Sequence, residues 1–470
     1  MNPIAQLDHQ FVWHPFTQMR DWLKSEPIVL TAGRGAVLRD VRGRSFLDAN
    51  SSIWTNLHGH NHPALNRALK RQLNQVAHVS ALGFANEPAA RLAARLVKAA
   101  RPPLRKVFFS DNGSTALEVA LKLAYETARR TGLSPKPRFA SLAGAYHGDT
   151  IGAVALGHID LFHKAWSGML FPTAQVMSPY CYRCPFNRAR PERADARTYR
   201  RCQWECVASA EKVFSRAKKL GRPITGFVFE PEMQGAAGMI PQPDGWLQSV
   251  TRIAREHGAL LIADEVMTGF GRTGIPGANP ASPGARALFA CQLRGVQPDF
   301  LCLAKGLTGG YLPMAATLTT QPVFDAFLGR YDEFKSFFHG HSYTGNPLGA
   351  ATGLASLDLL ESPASRRQRA RLQSHLQDQL QSLWKLPRVG DVRQTGLVAG
   401  IELVADWKTR RAYPLRERAG IRVAESMARR GVLTRPIGNV IVLMPPYCTT
   451  EEQLEKMIAA LRAAIREALA

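Results

Sequence analysis

The sequence predicts an α/β fold: a large domain with a mainly parallel sheet between helices, and a smaller α+β domain after it. Two patterns carry that expectation. Between Val107 and Lys305, short apolar runs of strand length alternate with stretches of helical periodicity, as in strands buried on both faces and joined by covering helices. Near Asp332 the style changes to aromatic and glycine-rich loops, then to long arginine-rich helices over Pro363 to Leu386. A strand, helix, strand, helix series closes the chain from Gly396 to Ala470. The 470 residues suffice for one large domain and a smaller companion, and 45% apolar with 21% charged residues is ordinary for a globular protein with a sizeable core.

In chain order, the first residues mix aromatics with short strand-like runs. Val37 to Asp48 centres on Val41-Arg-Gly-Arg44, which reads as a hairpin turn. Residues 1–60 are expected to pack with the small domain, 61–331 to form the large domain, with a cysteine-containing insert at 178–206, and 332–470 to form the small one. Leu65, Leu69, Leu73 and Val76 recur at helical spacing, as do Ala90, Leu92, Leu96 and Ala99. Val107 begins a short strand that breaks into a glycine turn at 112–114, and Thr115 to Arg129 is an amphipathic helix through Leu117, Ala120, Leu121 and Ala124. Further strands are expected at 138–142, 226–230, 259–264 and 300–304, with a helix from Trp246 to His257.

The net charge of +23 comes mostly from scattered arginines, among them Arg188, Arg190, Arg193, Arg197, Arg200, Arg201, Arg366, Arg367, Arg369 and Arg371. No nucleic-acid recognition motif accompanies them, so no nucleic-acid partner is expected and the excess charge serves at most to steer anionic ligands. Met1 to His14 lacks a basic segment followed by an apolar run, and nowhere do ~18 apolar residues stand together as a membrane span requires. A soluble cytoplasmic protein with no membrane partner is the expectation. Of seven cysteines, Cys291, Cys302 and Cys448 are isolated, which fits a reducing compartment better than a disulfide framework.

Chemistry concentrates at strand ends. Phe300-Leu-Cys-Leu-Ala runs straight into Lys305 and a glycine-rich segment follows. An amine in an apolar pocket loses part of its preference for the charged form, which makes Lys305 a candidate Schiff-base nucleophile; alone, the pattern also suits a lysine that solvates a strand end. Asp264 likewise ends Leu260-Leu-Ile-Ala. A buried carboxylate requires a partner, and a protonated pyridine nitrogen is the partner that pyridoxal phosphate chemistry needs; an aspartate capping the next turn is the alternative. Together the two strand-end residues favour the chemical reading. Asn112-Gly-Ser-Thr115 at a helix start offers a phosphate free backbone N–H groups, hydroxyls and the positive end of a helix dipole, although Ser and Thr are also routine caps. Ala145-Tyr-His-Gly-Asp-Thr150 puts an aromatic ring and an imidazole in a glycine-flanked loop, suited to stacking on a planar cofactor or to a structural turn. Arg435 follows a strand of the small domain and could hold a carboxylate bidentately. Cys181, Cys184, Cys202 and Cys206 flank an arginine-rich segment at spacings that suit tetrahedral zinc, the alternative being an exposed loop with free thiols.

Taken in order, the turn 112–114, Tyr146-His-Gly148, Glu230-Pro231, Asp264-Glu-Val-Met-Thr-Gly-Phe-Gly-Arg-Thr-Gly274, Lys305-Gly306 and Gly345-Asn-Pro347 resemble the motif set of class III, fold type I pyridoxal-phosphate aminotransferases over essentially the whole chain. Within the class, Trp13-His-Pro-Phe-Thr-Gln-Met19, Ser51-Ser-Ile-Trp54, His58-Gly-His-Asn-His-Pro63 and Arg435-Pro436 with Val442-Leu-Met-Pro-Pro-Tyr447 resemble the 7,8-diaminopelargonic acid synthases of biotin biosynthesis. The resemblance implies pyridoxal 5′-phosphate as cofactor, a homodimer with its site at the subunit interface, and ping-pong transamination of 8-amino-7-oxononanoate to 7,8-diaminononanoate. Lys305 would hold the cofactor covalently and move the proton, Asp264 would pair with the pyridine nitrogen, and Gly113 and Ser114 would bind the phosphate, which Ser342 of the partner subunit would complete. Tyr146 would stack on the ring and border the substrate, Trp54 would line the pocket, and Arg435 would bind the substrate carboxylate.

The chain departs from the better-known form of the family at pocket positions. Phe16 stands where a tyrosine is usual, Thr55 where a second aromatic is usual, and His341-Ser342 where Pro-Thr is usual. These leave the amino donor open between S-adenosylmethionine, the family default, and L-lysine, which a smaller, less aromatic pocket would suit. An ω-amino acid aminotransferase is the rival within the class. A basic nucleic-acid-binding protein is the rival outside it, and it implies no bound chromophore.

Overall fold

The computed structural model describes residues 1–470, the side chain of Pro283 excepted. Its central sheet has seven strands in the spatial order Leu104–Ser110, Ala315–Thr320, Phe300–Leu303, Leu260–Asp264, Gly226–Phe229, Phe139–Leu142 and Ala174–Val176. The five from Phe300–Leu303 outward are parallel. Ala315–Thr320 alone is reversed, antiparallel to both its neighbours. The expected mainly parallel sheet is present.

Side-chain alternation explains why both faces need cover. Phe227, Phe229, Leu261, Ala263, Leu301 and Leu303 share one core with Phe214, Trp246 and Val250 from the helices Glu205–Lys219 and Trp246–Glu256. The intervening Val228, Ile262, Phe300 and Cys302 share another with Leu117, Ala120, Leu121 and Ala124 of the helix Gly113–Arg130.

Ala315–Thr320 was not expected from the sequence. All six of its residues are buried, so its Ala-Ala-Thr-Leu-Thr-Thr run shows neither alternation nor strong apolarity. The helix Pro347–Glu361 was not expected either. It packs against the helices Pro63–Leu73 and Glu87–Ala100 and buries small residues around much of its circumference, which leaves no amphipathic stripe to read. Its start signal was nonetheless present: Asn346 accepts from the Gly349 amide at 2.7 Å and Pro347 occupies the first turn.

A second, antiparallel sheet holds Val389–Thr395, Val398–Asp406, Val440–Leu443 and Pro436–Ile437, with the helices Ala419–Arg429 and Glu451–Ala468 packed on each other beside it. The expected hairpin pairs Val37 with Leu47 and Arg39 with Ser45. Its second strand then runs parallel to Val432–Leu433, which ties the start of the chain to its end. Among the described residues no helix is long and apolar enough to cross a membrane.

Residues 178–204 contain one short helix, Ala196–Tyr199, and the helix Glu205–Lys219 then begins. Arginines fasten this irregular stretch to the second sheet: Arg183 Nε donates to Glu402 at 2.7 Å, Arg193 to the Trp384 and Val389 carbonyls at 2.6 Å each, and Arg197 to the Gln394 carbonyl at 2.8 Å. Glu402 is shared with Arg393, a fully buried guanidinium that also donates to Asp391 at 3.0 Å and to the Gly238 carbonyl at 2.6 Å. Burial pushes the Asp391 carboxyl up to about 7 against the pull of Arg393.

Replacing Arg393 by Met would leave the buried Asp391 carboxylate without its cation and Glu402 with Arg183 alone. Urea unfolding is expected to show a loss of about 3–5 kcal/mol. Because a protonated carboxyl needs no counter-charge, the loss should be smaller at pH 6 than at pH 8; a loss under about 1 kcal/mol at pH 8 would contradict this account.

Candidate active site

Lys305 and Asp264 emerge at the C-terminal ends of neighbouring parallel strands, where Asp264 stands in register with Cys302. In open α/β sheets this is the edge at which ligands bind. Here it opens on a cleft of about 690 Å³ lined by Trp54, Gly113, Ser114, Tyr146, Asp264 and Lys305, among others. Six of the residues singled out from the sequence are therefore brought together.

Lys305 is half-buried and has φ +43°, a left-handed conformation that a lysine holds only when its surroundings impose it. Its amine lies 4.8 Å from the centre of the Trp54 ring. Burial lowers the pKa of this amine, while the charges of Asp264 and Glu230 pull the other way. The net effect favours the neutral, nucleophilic form.

Trp54 reaches that position through a left-handed turn: Ser51, Ser52, Ile53 and Trp54 have φ values of 46°, 48°, 61° and 68°. L-residues adopt such a run at a cost of roughly 1–2 kcal/mol each, so something must hold it. Asp48 does. Its carboxylate accepts from the Asn50 and Ser52 amides at 3.2 and 3.1 Å, from Ser52 Oγ at 3.1 Å and from His60 Nε2 at 3.0 Å. Burial opposes charge on Asp48, yet these donors hold its pKa below the ordinary value. Ser51 Oγ adds a bond to the Met444 carbonyl at 2.6 Å. Sequence reasoning missed Asp48, since an aspartate at the end of a hairpin strand carries no distinguishing pattern.

Asp264 is buried and accepts from the Val266 amide at 3.0 Å and from His147 Nδ1 at 2.7 Å. His147 is also buried, and its Nε2 has no partner. The sequence placed this imidazole in a cofactor loop without connecting it to Asp264; only the fold makes residues 117 positions apart neighbours.

At the helix start at Gly113, capping is done by Asn112 and Thr115. Asn112 Oδ1 accepts from the Thr115 amide at 3.0 Å, and Thr115 Oγ1 accepts from the Asn112 amide at 3.0 Å, a reciprocal capping box. The amides of Gly113 and Ser114 remain among the first-turn donors that no helical carbonyl can reach. Glycine is required twice here. A Cβ on Gly113 would lie 2.6 Å from Val266 Cγ1, and one on Gly148, at φ +126°, would lie 2.2 Å from Ser114 Oγ. Ser114 Oγ instead receives the Thr150 amide at 3.0 Å and lies 2.7 Å from the Thr150 hydroxyl.

Tyr146 is half-buried, donates its hydroxyl to Asp149 at 2.7 Å and meets the Phe16 ring edge-on at 6.4 Å. Glu230, noted in the sequence only as part of a motif, accepts from the Gly235 amide through Oε2 at 2.8 Å, while its buried Oε1 has no partner. Burial pushes this carboxyl up to about 7.

The other sequence candidates lie elsewhere. Ser342 is exposed and does not line the cleft of its own chain, although its neighbour His341 lies 3.3 Å from Asp111 at the cleft edge. Arg435 is exposed and donates to the Phe16 carbonyl at 2.8 Å rather than into the cleft. Cys181, Cys184, Cys202 and Cys206 border one small cavity far along the chain from these residues, as free thiols.

A family model described as aminotransferase class-III matches residues 19–465. The chain belongs to the class III aminotransferases. It is 46% identical over 462 residues to the adenosylmethionine-8-amino-7-oxononanoate aminotransferase of Geobacter sulfurreducens, covering 98% of this chain and 97% of that protein. The crystal structure of the adenosylmethionine-8-amino-7-oxononanoate aminotransferase from Methanocaldococcus jannaschii matches with a TM-score of 0.88 at 37% identity, over 99% of this chain and 98% of that one. An amine transaminase from an uncultivated Pseudomonas species, in its PLP-bound form, matches with a TM-score of 0.87 at 32% identity, over 97% and 99%.

Class III aminotransferases use pyridoxal phosphate, and this cleft fits it. The unpaired first-turn amides of Gly113 and Ser114 could take a phosphate, Tyr146 offers a ring face, and a half-buried lysine stands at the strand end. The orphaned polar atoms Trp54 Nε1, His147 Nε2 and Glu230 Oε1 all belong to residues lining the cleft, as expected of a site shaped for a polar ligand. Replacing Gly148 by Ala would drive a methyl group into Ser114, so the variant is expected to bind the cofactor at least about tenfold more weakly, a change near 1.4 kcal/mol. Titration of cofactor-stripped protein measures this; unchanged affinity would remove Ser114 from the phosphate cradle.

Proposed function

We propose that this aminotransferase converts 8-amino-7-oxononanoate to 7,8-diaminononanoate, a step of biotin biosynthesis, with S-adenosylmethionine as amino donor. The observation that carries this reading is the near full-length likeness, at 46% identity, to a relative named for that substrate and donor. The cleft chemistry supports it. When bound, the cofactor supplies an electron sink for the carbon that loses its proton. Lys305 is the base and acid that carries that proton, its neutral form made accessible by burial. Asp264, aligned by His147, would pair with the cofactor's pyridine nitrogen. Gly113 and Ser114 would hold the phosphate, and Tyr146 would offer its ring face to the cofactor. Trp54 covers the Lys305 amine and keeps water from it.

The enzyme works as a homodimer in this reading, with Ser342 of the partner subunit completing the phosphate site. The exposure of Ser342, together with large exposed apolar side chains at Leu82, Phe84 and Phe338, supports a covered face in the assembly. Arg435, which holds the segment carrying Phe16, would bind the substrate carboxylate. A second reading, with L-lysine as donor, draws on two features: Thr55 lines the cleft in place of an aromatic residue, and Phe16 brings no hydroxyl beside Tyr146.

Addition of S-adenosylmethionine to the yellow holoenzyme is expected to bleach the cofactor absorption and, after 8-amino-7-oxononanoate is supplied, to restore it with formation of 7,8-diaminononanoate. Bleaching by lysine alone would move the donor assignment to the second reading. Bleaching by neither, with ready turnover of a simple ω-amino acid, would overturn the proposed pathway.

A further inference from the structure

Outside the cleft, the densest group of reactive side chains lies in the insert of residues 178–206. Cys181 and Cys184 sit in a tight turn, in which the Asn187 amide donates to the Cys184 carbonyl at 3.1 Å and Asn187 Nδ2 to the Cys181 carbonyl at 2.9 Å. Cys202 follows the short helix Ala196–Tyr199, and Cys206 lies in the first turn of the helix Glu205–Lys219, which covers one face of the central sheet. All four line one cavity of about 10 Å³, the room of a single small ion or water.

We propose that Cys181, Cys184, Cys202 and Cys206 bind one zinc ion as a tetrahedral tetrathiolate site that staples this insert to the enzyme. The Cys-x2-Cys and Cys-x3-Cys spacings are those of structural zinc sites, which are closed and lack a substrate position. The thiols are mutual neighbours: burial pushes Cys181 up to about 12, with further upward pushes from Cys206, Cys202 and Cys184. Zinc takes cysteine as thiolate, so its uptake releases protons. The resulting site would carry excess negative charge, and a counter-charge is in place. Arg200 Nη1 lies 3.2 Å from Cys202 Sγ, with its guanidinium held 4.0 Å over the Trp204 ring.

Among the described residues no three ligands already form a metal-binding group. A cysteine sulfur swings about a single torsion, and all four cysteines line one ion-sized cavity, so side-chain rotation is the motion that closing the shell would call on. The site has a purpose in the fold. An irregular stretch of this length, without a core of its own, needs a staple to offset its ordering entropy. Arg183 and Tyr180 of the same stretch grip Glu402 of the second sheet, whereas Cys206 belongs to a helix on the first. Zinc would join those two attachments. The inference is independent of the donor and the substrate, since none of these residues lines the cleft.

The test is metal analysis of holoenzyme purified without chelator, followed by titration of chelator-treated protein with Zn²⁺ and with Co²⁺. About one zinc per chain, or tight stoichiometric uptake with the intense visible bands of tetrahedral cobalt thiolate, is expected. The Cys181→Ser/Cys206→Ser variant should then hold less than a tenth of that zinc and melt at lower temperature, with cofactor absorption retained. Absence of stoichiometric metal both as purified and after titration would overturn the proposal, even if the variant fails to fold. So would mass spectra showing the four cysteines paired as disulfides, or an unchanged zinc content in the variant.

Discussion

An amine and a carboxylate held side by side in the apolar edge of a sheet impose the constraint on which the rest of this structure depends. Lys305 and Asp264 end adjacent parallel strands, and neither can be left as an isolated charge there. The protein meets the two demands differently. Asp264 is bonded by a backbone amide and by His147. Lys305 is given an aromatic face, and burial lowers its pKa. Each solution requires a further one: His147 needs a glycine-flanked loop against Ser114, and Trp54 needs a left-handed turn that Asp48 holds. The cleft is thus a set of linked local strains, as expected where pre-organisation matters more than local propensity.

What could be read in the sequence follows from how far each interaction reaches along the chain. Strands buried on both faces announced themselves as short apolar runs, and their terminal residues Lys305 and Asp264 stood out by contrast with those runs. The glycine turn at 112–114 was legible because capping and anion binding use the same residue types; the fold gives the capping to Asn112 with Thr115 and leaves Gly113 and Ser114 on the cleft. The pairing of His147 with Asp264, the grip of Asp48 on the Trp54 turn and the reversed strand Ala315–Thr320 rest on contacts between distant residues, or on burial so complete that no periodicity survives. Ser342 entered through family resemblance and Arg435 by its place after a small-domain strand and by that resemblance, and the single chain places neither in its own cleft.

The high arginine content acquires a structural explanation. Arg272, Arg369 and Arg393 are among the largest fully buried side chains, and Arg272 donates to the Pro445 and Asn56 carbonyls at 2.9 and 3.0 Å. Arg193 and Arg197 do similar work for the insert. A guanidinium has five donors in a planar fork, so it can satisfy carbonyls at the ends of irregular segments that no ladder reaches. Part of the +23 charge is therefore internal fastening, located where the second sheet, the insert and the N-terminal segment meet.

The central claim is that Lys305 is the residue holding the cofactor. Reducing the yellow holoenzyme with borohydride fixes the cofactor to whichever lysine carries it, and peptide mass spectrometry then locates the added mass. The account predicts that mass on the peptide containing Lys305 and on no other lysine. A labelled peptide from elsewhere in the chain, or Lys305 recovered unmodified while the colour is lost, would contradict it.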